Sequence, residues 1–295
     1  MRLAELSLDL QGLDPGLAEA LFAQCGALAI TLSDARDDPV LEPGPGEVRL
    51  WPATRLSGLY ASAASALEAR LIAAARLGIA PERIELTPVA DKIWEREWLR
   101  DFHPMRFGRR LWVCPRHARV EDPAAAVVRL DPGLAFGTGT HPTTAQCLAF
   151  LDEALAAGAH VIDYGCGSGI LALAAARLGA QRVQCFDIDP QALTAARENA
   201  ADNELSLEIR SEDAELTAGA DLLIANILAG PLCALAERFA TLVRAGGTVA
   251  LAGLIGAQAA EVTRAYAPWF DMRCHDVRDE WALLVGARRA FEAHG

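Results

Sequence analysis

Three glycines at alternate positions, Gly165, Gly167 and Gly169, separate an apolar run at 161–164 from an alanine- and leucine-rich run at 170–178. This order predicts a β-strand, a tight turn and an α-helix, because glycine readily adopts the positive φ angles that such a turn needs. A glycine turn lets a ligand approach the backbone, and the following helix N-terminus offers unpaired N–H groups with a partial positive charge. The stretch therefore predicts a ligand site at the end of a strand.

The spacing of the glycines distinguishes between ligands. The dinucleotide fingerprint is G-x-G-x-x-G, whereas here Ile170 occupies the position of the dinucleotide glycine. Asp163 ends the strand just before the turn, and an acidic residue there can neutralise an ammonium group. The resulting D-x-G-x-G-x-G pattern resembles the first motif of Rossmann-like methyltransferases, in which the turn wraps the methionine part of S-adenosylmethionine.

The composition excludes several classes of protein. The chain has 295 residues, enough for two domains, and no apolar run reaches the roughly 18 residues of a membrane span. A net charge of −12 without a basic stripe argues against a nucleic acid partner. Seven scattered cysteines without C-x-x-C spacing indicate reduced thiols, and Cys114 with His117 supplies too few ligands for a metal. We expect a cytoplasmic protein with no metal, no membrane contact and no direct nucleic acid contact.

The N-terminal part alternates between strand and helix patterns. The predicted order is strand, helix, strand, strand, helix, strand, at 3–10, 14–25, 27–33, 47–51, 57–77 and 83–87. This order is typical of a ferredoxin-like α+β domain, which we place at residues 1–90. We interpret residues 91–104 as a helical linker and hinge. Trp94 and Trp98 share one face of it, either at an interdomain seam or beside the substrate path.

Residues 105–295 show the alternation of a doubly wound α/β domain. Strands are predicted at 127–130, 161–164, 182–187, 205–210, 220–225 and 248–251, with a last pair at 270–275 and 281–285. A closing antiparallel hairpin suits a methyltransferase sheet better than the all-parallel sheet of a dinucleotide-binding domain. The predicted fold is therefore α/β, a Rossmann-like class I methyltransferase domain preceded by the smaller ferredoxin-like domain.

Acidic residues follow two of these strands. Asp187 lies at a strand end, 22 residues after Gly165, where its carboxylate can accept both ribose hydroxyls of a nucleoside. Asp189 precedes Pro190 and is typical of a helix N-cap. Asp213 follows the next strand and is a candidate for binding the adenine amino group, with an ordinary surface carboxylate as the alternative.

Asn226 ends the strand predicted at 220–225, beside the expected position of a transferable methyl group. Amine and amide methyltransferases often place an Asn-Pro-Pro motif here, but this chain lacks both prolines. The side-chain oxygen of Asn226 can still hold a neutral amine in line with the methyl donor. An ordinary turn-forming asparagine is the alternative.

The glycine-rich stretch 131–141 leads into a predicted helix that begins at Pro142. Thr143 and Thr144 suit helix capping, while the loop as a whole could close over a bound cofactor. His141 is a candidate general base, and holding the loop is an equal alternative.

Five motifs in order resemble the PrmA family of ribosomal protein L11 methyltransferases, over nearly the whole chain. They lie at 94–98, 102–108, 130–144, 162–171 and 225–231. The resemblance implies an N-terminal domain that grips the ribosomal protein and a C-terminal domain that binds S-adenosylmethionine. It puts the cofactor contacts on Thr144, Gly165, Asp187 and Asn226, of which Thr144 is added by the resemblance alone. Gly167 of the turn completes the predicted cofactor site.

The resemblance also implies the reaction, methyl transfer from S-adenosylmethionine to lysine side-chain and N-terminal amino groups of ribosomal protein L11. Asn226 is then the catalytic residue, and we expect a monomer. A nicotinamide-dependent oxidoreductase on the same fold is a second hypothesis, opposed by the glycine spacing. A non-catalytic docking protein is a third, opposed by the intact turn with Asp187 and Asn226.

Overall fold

The computed structural model describes residues 3–36, 51–89, 103–130 and 140–290. The chain divides into two compact units, Met1–Trp94 and Glu95–Gly295. The linker helix predicted around the two tryptophans lies outside the described residues, as does most of the glycine-rich loop. In the described part of the chain, no helix combines the length and the apolar character needed to cross a bilayer.

The first unit is a four-stranded antiparallel sheet covered by helices. Its elements are β1 (Ala4–Asp9), α1 (Pro15–Gln24), β2 (Ala29–Asp34), β3 (Thr54–Tyr60), α2 (Ala63–Leu77), a 3-10 turn (Pro81–Arg83) and β4 (Ile84–Pro88). The strands lie in the order β2-β3-β1-β4, and each neighbouring pair is antiparallel. Leu6 and Leu8 of β1 pack with Phe22 of α1 in a buried core. This element order and strand order agree with the ferredoxin-like arrangement predicted for this part of the chain.

The boundary between β3 and α2 differs from the sequence prediction. A helix was expected from residue 57, but residues 54–60 form a strand that alternates between buried and partly exposed positions. The helix begins only after Ser62, whose hydroxyl accepts from the N–H of Ser65 in a capping box. The helical spacing of apolar residues continues on the N-terminal side of Ser62, but those residues form β3. Pairing with β1 and β2 overrides their local helical preference. Most of the strand predicted at 47–51 lies outside the described residues.

The second unit contains two sheets. The smaller one comprises β5 (Met105–Phe107), β6 (Leu111–Cys114) and β7 (Ala126–Arg129), with Gly108 at positive φ in the turn between β5 and β6. The strand predicted at 127–130 exists but pairs with β6, outside the main sheet. The sheet to which this strand belongs could not be predicted from the local sequence, because strand pairing depends on residues far apart in the chain.

The larger sheet has seven strands in the order β10-β9-β8-β11-β12-β14-β13. The five strands from β10 to β12 are parallel, whereas β12, β14 and β13 pair antiparallel, so the predicted closing hairpin is confirmed. The elements are α3 (Pro142–Ala154), β8 (His160–Tyr164), α4 (Ile170–Arg177), β9 (Arg182–Phe186), α5 (Pro190–Asp202), β10 (Glu208–Arg210), a 3-10 turn (Asp213–Glu215), β11 (Ala220–Asn226), α6 (Ala229–Ala234), α7 (Ala236–Leu242), β12 (Val243–Ile255), a 3-10 turn (Gly256–Gln258), α8 (Ala259–Tyr266), β13 (Phe270–Arg278) and β14 (Trp281–Arg288).

The central strands are apolar on both faces because each face is buried against helices. Val161 of β8 packs into one core with α3 and α4, and the adjacent Ile162 packs into the other core with α7 and α8. The chain continues from β8 to β9 on one side of the sheet, while β11 lies on the other side of β8. The strand order therefore reverses between β8 and β11, which creates a crevice at their carboxyl ends.

A buried glutamine joins β8 and β9 to the segment before β11. The amide nitrogen of Gln184 donates to Nε2 of His160 at 2.7 Å and to the carbonyl of Thr217 at 3.1 Å. The amide oxygen of Gln184 accepts from the N–H of Thr217 at 3.0 Å, which fixes the amide orientation and makes His160 Nε2 an acceptor. Burial, followed by the charge of Arg182, lowers the pKa of His160 from its ordinary value of 6.5. The fold therefore favours neutral His160.

We expect His160→Gln to reduce the loss of stability that acidification causes below about pH 6.5. The unfolded chain binds a proton at His160 in that range while the folded state resists it, so the stability contributed by neutral His160 falls as the pH falls. The measurement is the free energy of unfolding from denaturant titrations at several pH values between 5 and 7. The exposed His117→Gln, which removes a histidine outside this hydrogen-bond network, is the control.

The wild type and the variant must be compared, because a second group also titrates between pH 5 and 7. Its effect on the free energy of unfolding has the opposite dependence on pH. Burial raises the pKa of Asp163 to about 7, so its contribution to stability decreases as the pH rises. That contribution is common to wild type and variant and cancels in the difference. The pKa values of Asp221 and Glu208 are lowered by hydrogen bonds, so their effects begin below this window. Identical pH dependence in wild type and His160→Gln would contradict the prediction.

Candidate active site

The glycine turn lies at the carboxyl end of β8. Gly165, Gly167 and Gly169 have φ angles of 77°, 52° and 79°, the left-handed region that favours glycine. The backbone N–H groups of Gly165 and Cys166 both donate to the carbonyl of Phe186 at the end of β9, at 2.8 and 3.0 Å. Gly169 then caps α4 without a side chain. The turn thus holds two strand ends together and presents a helix N-terminus beside them.

Asp187 lies next to this turn, and Asp189 begins the following helix. One carboxylate oxygen of Asp187 accepts from the N–H of Gly167 at 2.8 Å, and the other accepts from the N–H of Asp189 at 3.0 Å. The side chain of Asp189 accepts from the N–H of Gln191 at 2.8 Å, as an N-cap of α5 does. The two aspartates therefore have separate positions, one on the turn and one on the helix.

Asp163 lies beneath the turn and is fully buried. Its Oδ2 accepts from the N–H of Ala172 in α4 at 2.9 Å, whereas Oδ1 has no hydrogen-bond partner among the described residues. Burial raises the pKa of Asp163 to about 7; the bond from Ala172 opposes this rise, and the charge of Asp187 adds to it. A carboxylate in this state is stabilised by a cation placed near the turn.

Asn226 and Thr144, two of the predicted site residues, are in contact. Asn226 ends β11, and its Nδ2 donates to the hydroxyl of Thr144 at 3.3 Å. Thr144 is buried near the start of α3, and 82 residues separate the two in the chain. In this arrangement the amide nitrogen of Asn226 faces Thr144 and its oxygen lies on the other side. An amide oxygen is thereby held beside the crevice between β8 and β11.

His141 forms the start of α3. Its Nδ1 lies 2.7 Å from the hydroxyl of Thr143 and accepts a longer bond, 3.4 Å, from the N–H of the same residue. Its ring packs edge-on against Trp281 at 4.9 Å between ring centroids, and Gln146 donates to the carbonyl of Trp281. These contacts anchor the beginning of α3 to β14. They support the structural alternative for His141.

Asp213 is engaged by a cation on a neighbouring helix. Nε of Arg238 donates to its carboxylate at 2.8 Å, and a second guanidinium nitrogen donates to its carbonyl at 2.8 Å. Burial, followed by the charge of Asp213, raises the pKa of the nearby Tyr164 to about 12. The carboxylate of Asp213 therefore already has a partner, which weakens the expectation that it binds an adenine amino group.

Two exposed apolar residues beside the polar ones were not singled out from the sequence. Ile188 follows Asp187 and is 89% exposed, and Leu228 follows Asn226 by two positions and is 54% exposed. Large apolar side chains that are exposed to solvent beside a site are candidates for contact with a ligand or a partner. A sequence signal for both was present. Each is a large apolar residue that closely follows the polar residue at a strand end, in a loop where polar residues are usual.

A cavity of about 380 Å³ lies elsewhere, at the amino ends of the strands. It is lined by residues between α3 and β8, and by Asp221 and Arg244, which form an ion pair at 2.6 Å. The five residues of β8 separate this end from the glycine turn by roughly 15 Å. The cavity is therefore not part of the crevice that contains the predicted site residues.

Comparison with known proteins connects this arrangement to one family. The family described as Ribosomal protein L11 methyltransferase (PrmA) matches residues 3–289. A ribosomal protein L11 methyltransferase from Hahella chejuensis is 47% identical over 281 residues, covering 92% of this chain and 94% of the relative. Another from Alkalilimnicola ehrlichii is 46% identical over 289 residues, covering 97% of this chain and 98% of the relative.

A solved structure agrees with these sequence matches. The ribosomal protein L11 methylase of Lactobacillus delbrueckii subsp. bulgaricus is 32% identical and has a TM-score of 0.60, and the match covers 64% of this chain and 100% of that one. The resemblance inferred from the five motifs is confirmed by a family match over almost the whole sequence. This chain belongs to the ribosomal protein L11 methyltransferase family, PrmA.

Proposed function

We propose that this protein transfers methyl groups from S-adenosylmethionine to amino groups of ribosomal protein L11. Membership in the family and the names of its relatives support the reaction and the acceptor protein. The observation that carries the site assignment is the contact between Asn226 and Thr144. It leaves the amide oxygen of Asn226 as an oriented acceptor at a strand end next to the glycine turn.

The residues around the turn fit S-adenosylmethionine chemically. The unpartnered Oδ1 of buried Asp163 gives a negative counterpart to the ammonium group of the methionine part. Asp187 beside the turn offers a carboxylate for the ribose hydroxyls, and Gly165 with Gly167 gives the turn two positions that carry no side chain of their own. Thr144 completes the set as a hydroxyl next to Asn226. When bound, this cofactor supplies an electrophilic methyl group on a sulfonium.

The protein's own contribution to methyl transfer is positioning more than acid–base chemistry. An amine must be neutral to attack, and a lysine has an ordinary pKa near 10.4. Loss of water as the amine enters the site lowers that pKa because burial disfavours the charged form. The amide oxygen of Asn226 accepts an N–H of the neutral amine, which aims the nitrogen lone pair at the methyl group. Exposed Leu228 is placed to contact the aliphatic part of the incoming side chain.

Lysine side chains and the N-terminal amino group are the acceptors we propose, since both present a primary amine to the same oxygen. The ferredoxin-like unit is proposed to bind the ribosomal protein, as the resemblance to the PrmA family implies. The enzyme is proposed to act as a monomer in the cytoplasm, where its protein substrate is made.

Intact-mass spectrometry of unmethylated ribosomal protein L11, incubated with this enzyme and S-adenosylmethionine, tests the proposal. We expect mass increments of one methyl group or multiples of it that depend on both enzyme and cofactor. Calorimetry with S-adenosylmethionine and NADH, run side by side, separates the methyltransferase from an oxidoreductase. Cofactor binding without any increment would show that the acceptor is a different molecule.

A further inference from the structure

The residue after Asn226 is enclosed between two glycines from distant parts of the second unit. A Cβ added at Gly165 would lie 2.3 Å from Cγ2 of Ile227, so the side chain of Ile227 packs directly on the glycine turn. A Cβ added at Gly253 would lie 2.4, 2.8 and 2.9 Å from the O, C and N atoms of Ile227. The backbone of Ile227 therefore packs directly on Gly253. We call this arrangement of Gly165, Ile227 and Gly253 the Ile227 clamp.

The conformation of β12 at this point is suited to the contact. Ala252 is the last residue of β12 that pairs with β11, opposite Asn226, so Gly253 is the next position along the strand. Gly253 has a φ of 85°, and the pairing of β12 with β14 shifts register between Leu251 and Leu254. An irregular strand with a glycine here opens room where the chain leaves β11. Any other residue would place a Cβ in that room.

We propose that Gly253 is a positioning residue for methyl transfer. By lacking a Cβ, it lets the peptide after Asn226 lie against β12, and the side chain of Ile227 then joins the same peptide to the glycine turn. The clamp thereby sets the distance between the turn that binds the cofactor and the amide that orients the amine. This inference rests on the proposed function and assigns a role to a residue outside all five family motifs.

The size of the displacement decides the expected effect. Ordinary contact of a Cβ begins near 3.4 Å, and the added atom at Gly253 would lie 2.4 Å from a backbone oxygen. The peptide of Ile227 must then move by about 1 Å, and a misplacement of that size costs about 100-fold in rate where reacting groups must be aligned. Asp187 contacts the turn at Gly167, two residues beyond the position where Ile227 packs on Gly165, so we expect its carboxylate to stay in place.

The test is Gly253→Ala, assayed for kcat and KM with ribosomal protein L11 and for S-adenosylmethionine affinity by calorimetry. We expect kcat to fall by about 100-fold while cofactor affinity stays within a few-fold of wild type. Gly246→Ala is the matched control: Gly246 also lies in β12 with a φ of 72°, but its added Cβ meets only Arg244 Nη1, at 3.7 Å. It introduces the same backbone strain without displacing the peptide and should keep near-normal turnover.

A double variant distinguishes backbone from side-chain obstruction. Ile227→Ala should not restore turnover to Gly253→Ala, because the obstructing atoms are backbone atoms that alanine retains. Should Gly253→Ala not fold, Ile227→Ala alone removes the contact with Gly165 and is expected to lower kcat. Turnover of Gly253→Ala equal to that of Gly246→Ala, or wild-type turnover of Ile227→Ala, would overturn the clamp alone. Absence of methylation by the wild-type enzyme would overturn the proposed function and the clamp together.

Discussion

Asn226→Ala is expected to lower kcat for methylation of ribosomal protein L11 by about 100-fold or more while S-adenosylmethionine still binds. Alanine removes the oxygen that orients the amine, and proximity of amine and methyl group without alignment contributes little to the rate. The hydrogen bond to Thr144 is also lost, at a cost to stability of about 1 kcal/mol. Single-turnover kinetics and calorimetry on the same preparation measure turnover and cofactor affinity separately.

Thr144→Val provides the graded comparison. Valine has nearly the volume of threonine but no hydroxyl. The amide of Asn226 therefore loses its hydrogen-bond partner, while Asn226 keeps its side-chain oxygen. Turnover should fall less than in Asn226→Ala, because a fraction of the molecules still presents the oxygen correctly. Wild-type methylation by Asn226→Ala would refute the positioning role, whichever result Thr144→Val gives.

Asp187→Ala is expected to weaken S-adenosylmethionine binding by about 100-fold, the effect of losing a hydrogen bond to a charged acceptor. The carboxylate of Asp187 has two functions in this arrangement. It supports the turn through the N–H of Gly167, and it is the acceptor available to the ribose. Calorimetric titration of the cofactor measures the change directly. At saturating cofactor, the methylation rate should recover substantially.

Asp189→Ala is the matched control, two residues away and with the same change of charge. The side chain of Asp189 caps α5, so its loss should reduce the free energy of unfolding by about 1 kcal/mol. The backbone N–H of Asp189, which donates to Asp187, is retained. Cofactor affinity should therefore stay near wild type. Equal losses of affinity in the two variants would show that net charge, rather than the position of Asp187, controls binding.

Much of the fold was predictable because its signals are local. The glycine turn, the N-cap at Asp189 and the closing hairpin each follow from backbone preferences within a few residues, and all are present. The predicted start of α2 was wrong because that prediction also used only local signals. Its leucine spacing is also compatible with a strand, and only pairing with β1 and β2 decides between them.

The sequence by itself determined which residue types stand at strand ends, and so which could carry chemistry. It determined Asp187 and Asn226 as candidates because a polar residue after an apolar strand is a local pattern. The tertiary structure alone decided that Thr144 contacts Asn226, that Asp163 is buried beneath the turn, and that Gly253 accommodates the peptide of Ile227. These are contacts between segments far apart in the chain, and their geometry depends on sheet order and register, which no local preference specifies.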